Sequence, residues 1–283
     1  MKEVATDVLI ETGYEGVTVG AIRSDRGVIL IDTPISAKDT NTWRTTSSRG
    51  TGGSDRLLIL LDEHFDRSTG AGAIKCPIIT HENTAKALGS RSSSPKPGGD
   101  GTGTIWESSS EIMPAGWLKP EITFSNSMSI RWGEEEILLE HHPGPSLGSI
   151  WVVLPDRKAA FIGDTVTPGQ PPFIANADLD AWLDTLHELS LNRFREFVLI
   201  SGRGGIITKN DIRDQQKFLR KIKRRLEKLS TSKVNLAKVE EIGKAYADEF
   251  KTTSKKDEKV FRNRLAYGFM QYLTSQYPGE KKS

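Results

Sequence analysis

The sequence predicts a mixed α/β fold (α+β in its segregation), with helices packed against β-sheets. Three observations carry that reading. Short apolar runs rich in Val, Ile and Thr crowd the first half of the chain. Apolar residues at helical spacing appear between them and take over toward the C-terminus. The resulting order is strands, helix, strands again, helix, strand, then helices, which suits layers of sheet and helix around a large core. A chain of 283 residues can bury such a core. No internal repeat is visible.

The elements follow in order. DVLIETG and VTVGAIRSDRGVILIDTP read as a meander, turning at Asp25, Arg26 and Gly27. Thr40 to Gly53 reads as a helix-to-loop connection, and LLILL as a fully buried strand. PIITHE is a further strand, and NTAKALGS a helix ending on Gly89. Residues 90–119, rich in Ser, Gly and Pro, form a long loop anchored by Trp106 and Trp117, of the kind that lies over a site. EITFSNSMSIRWG, EEEILLEHH and GSIWVVLPDRKAAFIGD are strand regions, the last a hairpin turning at PDRK. ADLDAWLDTLHEL places Leu179, Trp182, Leu183 and Leu186 on one helical face. EFVLISGRGG is a buried strand entering a glycine turn, and from Lys209 onward the pattern is helical.

Composition narrows the class. With 36% hydrophobic and 27% charged residues the chain is neither disordered nor membrane-embedded. No apolar run approaches the roughly 20 residues of a membrane span. The single cysteine, Cys76, excludes an internal disulfide and reads as a core residue. The opening MKEVATDVLIETGYEG carries acids where a secretory leader is apolar, so a cytoplasmic protein is expected. The net charge of +2 hides an asymmetry. From Ile206 onward there are 20 Lys and Arg against 10 Asp and Glu, and before it 19 against 27. In QQKFLRKIKRRLEKL, however, Phe218, Leu219, Ile222, Leu226 and Leu229 recur at helical spacing. The basic residues are then the wet face of a packed helix, and nucleic acid is not the expected partner.

The chemistry concentrates in LLILLDEHFDRSTGAG, where an apolar strand ends in Asp62, His64, Asp66 and Arg67. Carboxylates and imidazole at a strand end are what a metal site uses, but arginine cannot ligate. With GVILIDTP, EHHPGPSLGSIWVVLP, AAFIGDTV and EFVLISGRGG in the same order, the chain resembles the metallo-β-lactamase superfamily from roughly Val8 to Thr208. The resemblance implies a four-layer αβ/βα sandwich of two mixed sheets over residues 1–208. It leaves 209–283 as a helical C-terminal extension packed on it.

The resemblance also implies two metals, usually zinc, held by H-x-H-x-D-H, the histidine after P-G, a bridging aspartate and the histidine of G-H-G. At those positions this chain has Asp62, His64, Asp66, Arg67, Pro145, Asp164 and Arg203. A dinuclear site is therefore not expected. Arg67 and Arg203 are read instead as counter-charges to Asp62, Asp66 and Asp164.

The expectation is a degenerate, non-catalytic or ligand-binding member with no required cofactor. Its cleft, formed by Asp62, His64, Asp66, Arg67, Asp164 and Arg203, would bind a small anionic molecule. The rival is a hydrolase of esters or phosphoesters with one divalent metal (Zn, Fe or Mn) on Asp62, His64 and Asp164, completed by His142 or water. For His64 the readings are a surviving ligand or base, or a ring hydrogen-bonded to Asp62 or Asp164. His141 and His142 are strand-end residues or first-site ligands, and His81 and His187 are structural. A homo-oligomer is compatible with the sequence.

Overall fold

Two β-sheets face each other across an apolar core, and helices cover both outer surfaces. The computed structural model describes residues 1–49, 55–90, 101–108, 118–230 and 236–276. In the first sheet β1 (Lys2–Ala5), β2 (Val8–Glu11), β3 (Val19–Ser24) and β4 (Gly27–Ile31) form an antiparallel meander. Three strands then join in parallel: β5 (Asp55–Ile59), β6 (Ile78–His81) and β7 (Ile122–Phe124). The second sheet runs β13 (Gly205–Ile206), β12 (Val198–Ser201), β11 (Ala159–Phe161), β10 (Ile150–Leu154), β9 (Glu135–His141) and β8 (Ser127–Trp132). All its pairings are antiparallel except β11 with β12.

The period of two in these strands builds the layers. Ile150, Val152 and Leu154 of β10 point inward and meet Ile29, Ile31 and Ile59 of the first sheet. Trp151 and Val153 point outward beneath Trp182 and Leu186 of α4 (Leu179–Glu188). On the far side α1 (Ala37–Ser47) and α3 (Glu82–Gly89) cover the first sheet with Trp43 and Leu88. Strands buried on both faces read as continuous apolar runs, which is why LLILL and IWVVL lack alternation.

Local chemistry sets the ends of the elements. The Asp178 carboxylate caps α4 by accepting from the amides of Asp180 and Ala181. The α3 helix starts one residue before Asn83, and its cap is the His81 ring, which accepts from the Asn83 amide at 3.1 Å. EITFSNSMSIRWG is two strands: β7 ends the first sheet and β8 begins the second, so the chain changes layer at Ser125 and Asn126. Period alone cannot show that change, because both halves are extended.

The C-terminal helices are α5 (Lys209–Ser230), α6 (Leu236–Ala247) and α7 (Lys255–Gln276). Phe218, Leu219, Ile222, Leu226 and Leu229 of α5 are buried in the same cluster as Trp151 and Trp182. Each such side chain contributes about 2 kcal/mol by leaving water. Lys217, Arg220, Lys221, Arg224 and Lys228 lie exposed on the other face. Among the described residues no helix is long and apolar enough to cross a membrane.

Candidate functional site and cavity

Four functional side chains follow the ends of adjacent strands, so the two sheets deliver them to one edge. Asp32 follows β4, Asp62 follows β5, Asp164 follows β11, and Arg203 follows β12. The turn after β5 runs into α2 (Phe65–Ser68), a single turn carrying Asp66 and Arg67. Gly202 makes the approach possible: a Cβ there would lie 2.4 Å from Arg67 Nη1.

Arg67 is fully buried. Its Nη2 pairs with Asp164 Oδ1, and its Nη1 lies 3.3 Å from Asp62 Oδ2 and 3.5 Å from Asp32 Oδ2. Arg203 is 2% exposed. Its Nε donates to both Asp164 oxygens at 3.1 and 3.2 Å, and its Nη1 donates to Asp66 Oδ2 at 2.8 Å and to Gly16 O at 2.6 Å. Its Nη2 lies 3.0 Å from His64 Nδ1. Asp66 also accepts from the backbone amides of Trp106, at 2.9 Å, and Ile105. That contact ties residues 101–108 of the long loop to the site, with Trp106 packed on Phe65. Trp117 lies outside the described residues.

The charge balance follows from these contacts. Burial raises the Asp164 carboxyl, but Arg203 and Arg67 outweigh it and hold the group well below the usual carboxylate range. Asp66 is likewise lowered, burial being overcome by Arg203 and its hydrogen bonds. Burial pushes Asp32 up to about 7 despite Arg67, and it raises Asp62 as well. Two strongly ionised carboxylates thus face two guanidiniums, and two further acids are shifted toward the neutral form. Burial and the Arg203 charge push His64 down to about 3, so its imidazole is neutral and its Nδ1 accepts from Arg203.

Asp32 was visible in the sequence only as the end of GVILIDTP. It sits at φ 56°, a left-handed conformation unusual for aspartate, and its Oδ1 accepts from the Leu61 amide at 2.9 Å. It joins the cluster as a fourth carboxylate.

The six residues expected to form a cleft do converge, but only three of them face open space. A cavity of about 190 Å³ is lined by Asp62, His64 and Asp164, whereas Asp66, Arg67 and Arg203 are buried and take no part in its lining. The other walls are Glu63, Phe65, Thr102, Thr104, Trp106, Pro145, Ser146, Phe173 to Asn176, Arg264 and Tyr267. Phe173 stands edge-on to His64 at 4.2 Å. Arg264 and Tyr267 come from α7, whose contribution carries no local signal in the sequence.

Asp62, His64, Asp164, His141 and His142 each have partners of their own. Among the described residues, the ligand atoms that lie within 4.8 Å of one another belong to Glu140, His142 and Glu188, not to Asp62, His64 and Asp164. The latter three are each turned onto an arginine. His142 does not reach the site: it stacks on Trp151 at 3.5 Å between Glu140 and Glu188. His141 stacks on His81 at 3.8 Å and bonds Leu147 O. The His64 ring bonds Arg203 rather than Asp62 or Asp164; only its backbone amide reaches Asp62, at 2.8 Å. Cys76 is half-buried, its thiol pushed up to about 11 chiefly by burial.

Two mixed sheets between helical layers, with polar loops gathered at one edge, define an αβ/βα sandwich. The Metallo-beta-lactamase superfamily profile matches residues 63–199, just under half of the chain, and over that stretch the chain is similar to that superfamily. The acyl-coenzyme A thioesterase MBLAC2 of Bos taurus is 30% identical over 126 residues, 40% of this chain and 42% of that protein. The match thus spans less than half of that curated relative. A metallo-beta-lactamase from Pontibacter korlensis superposes with a TM-score of 0.57 at 18% identity, covering 77% of this chain and 97% of that one. The sec-alkylsulfatase Pisa1 from Pseudomonas sp. gives 0.66 at 15% identity, covering 99% of this chain and 50% of that one. At these identities the structural likeness concerns the fold alone.

Proposed function

We propose that this chain is a metal-free, ligand-binding member of the superfamily. A carboxylate–guanidinium cluster stands at the positions where the family pattern places two divalent metals. The observation that supports this reading is the saturation of the aspartates by Arg67 and Arg203. A metal needs lone pairs at about 2.0–2.2 Å. Here the Asp66 and Asp164 oxygens accept from guanidinium and amide donors, and His64 Nδ1 accepts from Arg203. Two arginines, charged at any accessible pH, would also repel a dication. These residues do not fit the dinuclear centre. What remains for function is the cavity beside them.

Thioester hydrolysis, the activity in the bovine relative's name, is the rival reading. It needs an activated water, and an imidazole held near pKa 3 is a weak general base at neutral pH. The test is the metal content of protein purified without chelator. We expect less than about 0.2 equivalents of zinc, iron and manganese combined, because intact structural sites retain metal tightly. Stoichiometric metal, or acyl-thioester turnover abolished by His64→Gln, would overturn the proposal.

A further inference from the structure

Arg264 differs from Arg67 and Arg203. It is 2% exposed, lines the cavity from α7, and has no carboxylate within salt-bridge distance among the described residues. Its Nε donates to Gly103 O at 3.1 Å, and its Nη1 donates to Gln170 Oε1 and Pro171 O, both at 2.9 Å. Those bonds use three of the five guanidinium N–H groups. Nη2, with the other two, has no hydrogen-bond partner among the described residues. Gly103 allows the close seat: at φ 74°, a Cβ there would lie 2.3 Å from the Arg264 amide.

The surroundings hold the cation without neutralising it. Its guanidinium stacks on Phe173 at 3.8 Å, and Arg203 lies over the same ring at 4.5 Å. Burial and Arg203 push Arg264 down to about 9 against the pull of Asp66 and Asp164. A buried cation without a counter-ion is costly, and that cost is relieved when an anion enters. Arg67 and Arg203 cannot serve the ligand, since the aspartates already occupy them.

We propose that the cavity binds a small organic monoanion, a short-chain carboxylate, with its head on Arg264 Nη2. This rests on the reading of the site as a ligand pocket, but not on its freedom from metal. The apolar walls at Phe65, Trp106, Pro145 and Ile174 suit a short hydrocarbon tail. Glu63 and the ionised Asp164 also line the cavity, so a second negative charge would meet carboxylates, which selects a monoanion over a dianion.

The experiment is calorimetric titration of the full chain with butanoate, butanamide and inorganic phosphate at slightly alkaline pH. Butanoate is expected to bind about ten-fold or more tightly than butanamide, the range for a hydrogen bond to a charged group. Phosphate is expected to bind more weakly than butanoate. In Arg264→Gln the preference for butanoate over butanamide disappears, and in Arg264→Lys it is reduced. The comparison of ligands in the wild-type protein stands even if a variant fails to fold. Equal binding of butanoate and butanamide, no binding of butanoate, or phosphate binding as tightly as butanoate would each overturn the proposal. The metal content of the protein is a separate measurement, so this proposal and the metal-free reading fail independently.

Discussion

The cluster at the sheet edge and the cluster around Glu140 are built from the same ingredients: carboxylates, an imidazole and arginine. They differ in access to water. In the inner one Arg67, Arg203 and Asp66 are at most 2% exposed, and each arginine touches two or more carboxylates. In the outer one the Arg193 side chain is 41% exposed and that of Glu188 is 37% exposed, with Arg193 reaching both Glu140 and Glu188. Burial raises Glu140, but hydrogen bonds from His142 and Arg193 outweigh it and hold the group at about 2. The lesson is that ligand-like geometry does not identify a site. The outer cluster has the tighter set of potential ligand atoms, yet Arg193 already pairs with both of its carboxylates. The inner cluster instead pairs its carboxylates with two buried arginines.

The largest expected effect is loss of an inner arginine. Arg203→Met should destabilise the fold by about 3–5 kcal/mol at neutral pH, the cost of leaving buried charges without a partner. Denaturant unfolding measures it. A loss below about 1 kcal/mol would place the inner cluster in the same class as the outer one.

Next is exchange of the counter-charge. Arg67→His with Arg203→His removes two fixed cations and introduces two imidazoles beside Asp66 and Asp164. Without metal the double variant should melt below the parent. Zinc should restore it with the logarithm of its concentration, while the parent shows no response. Melting curves with zinc and with chelator decide this, and equal stability of both metal-free proteins would defeat the charge-replacement account.

A subtler break uses pH. Asp32 rises from 3.8 to about 7 on folding, so the folded state binds the extra proton and stability from this group falls as pH rises between those values. His64 drops from 6.5 to about 3, so the unfolded state binds the extra proton and stability rises with pH across that range. In the wild-type protein the two slopes oppose each other between about pH 4 and 6.5. Asp32→Asn should expose the rising slope, and His64→Gln the falling one. Unfolding free energies at the two ends of the window test the signs, and parallel profiles in both variants would contradict them.

The smallest effect belongs to the outer cluster. Arg193→Ala should cost no more than about 1 kcal/mol, as exposed ion pairs usually do. A loss comparable to that of Arg203→Met would put the outer cluster in the same class as the inner one.

How much of this was legible beforehand depends on the range of the interaction. Strand runs such as LLILL and IWVVL, the amphipathic pattern of α5 and the Asp178 cap are set by periods and contacts within a few residues. They can be read in one dimension. The ordered segments ending in Asp62 to Arg67, Asp164 and Arg203 carried the family resemblance and put arginines at two positions where its pattern has histidine. The change of layer between β7 and β8 could not be read, because an extended chain has the same pattern in either sheet.

The sequence by itself determined most of the elements, the family resemblance and the presence of unmatched charges, since each is written in local pattern and residue type. Only the tertiary structure decided which charges meet. It brought Asp32 in as a fourth carboxylate, turned His64 onto Arg203, removed His142 to Trp151, and carried Arg264 from α7 to the cavity wall. Arg67 and Arg264 are the same residue type, both buried. One meets three aspartates and the other meets carbonyls and a side-chain amide, because their partners come from segments distant in the sequence that only packing brings together.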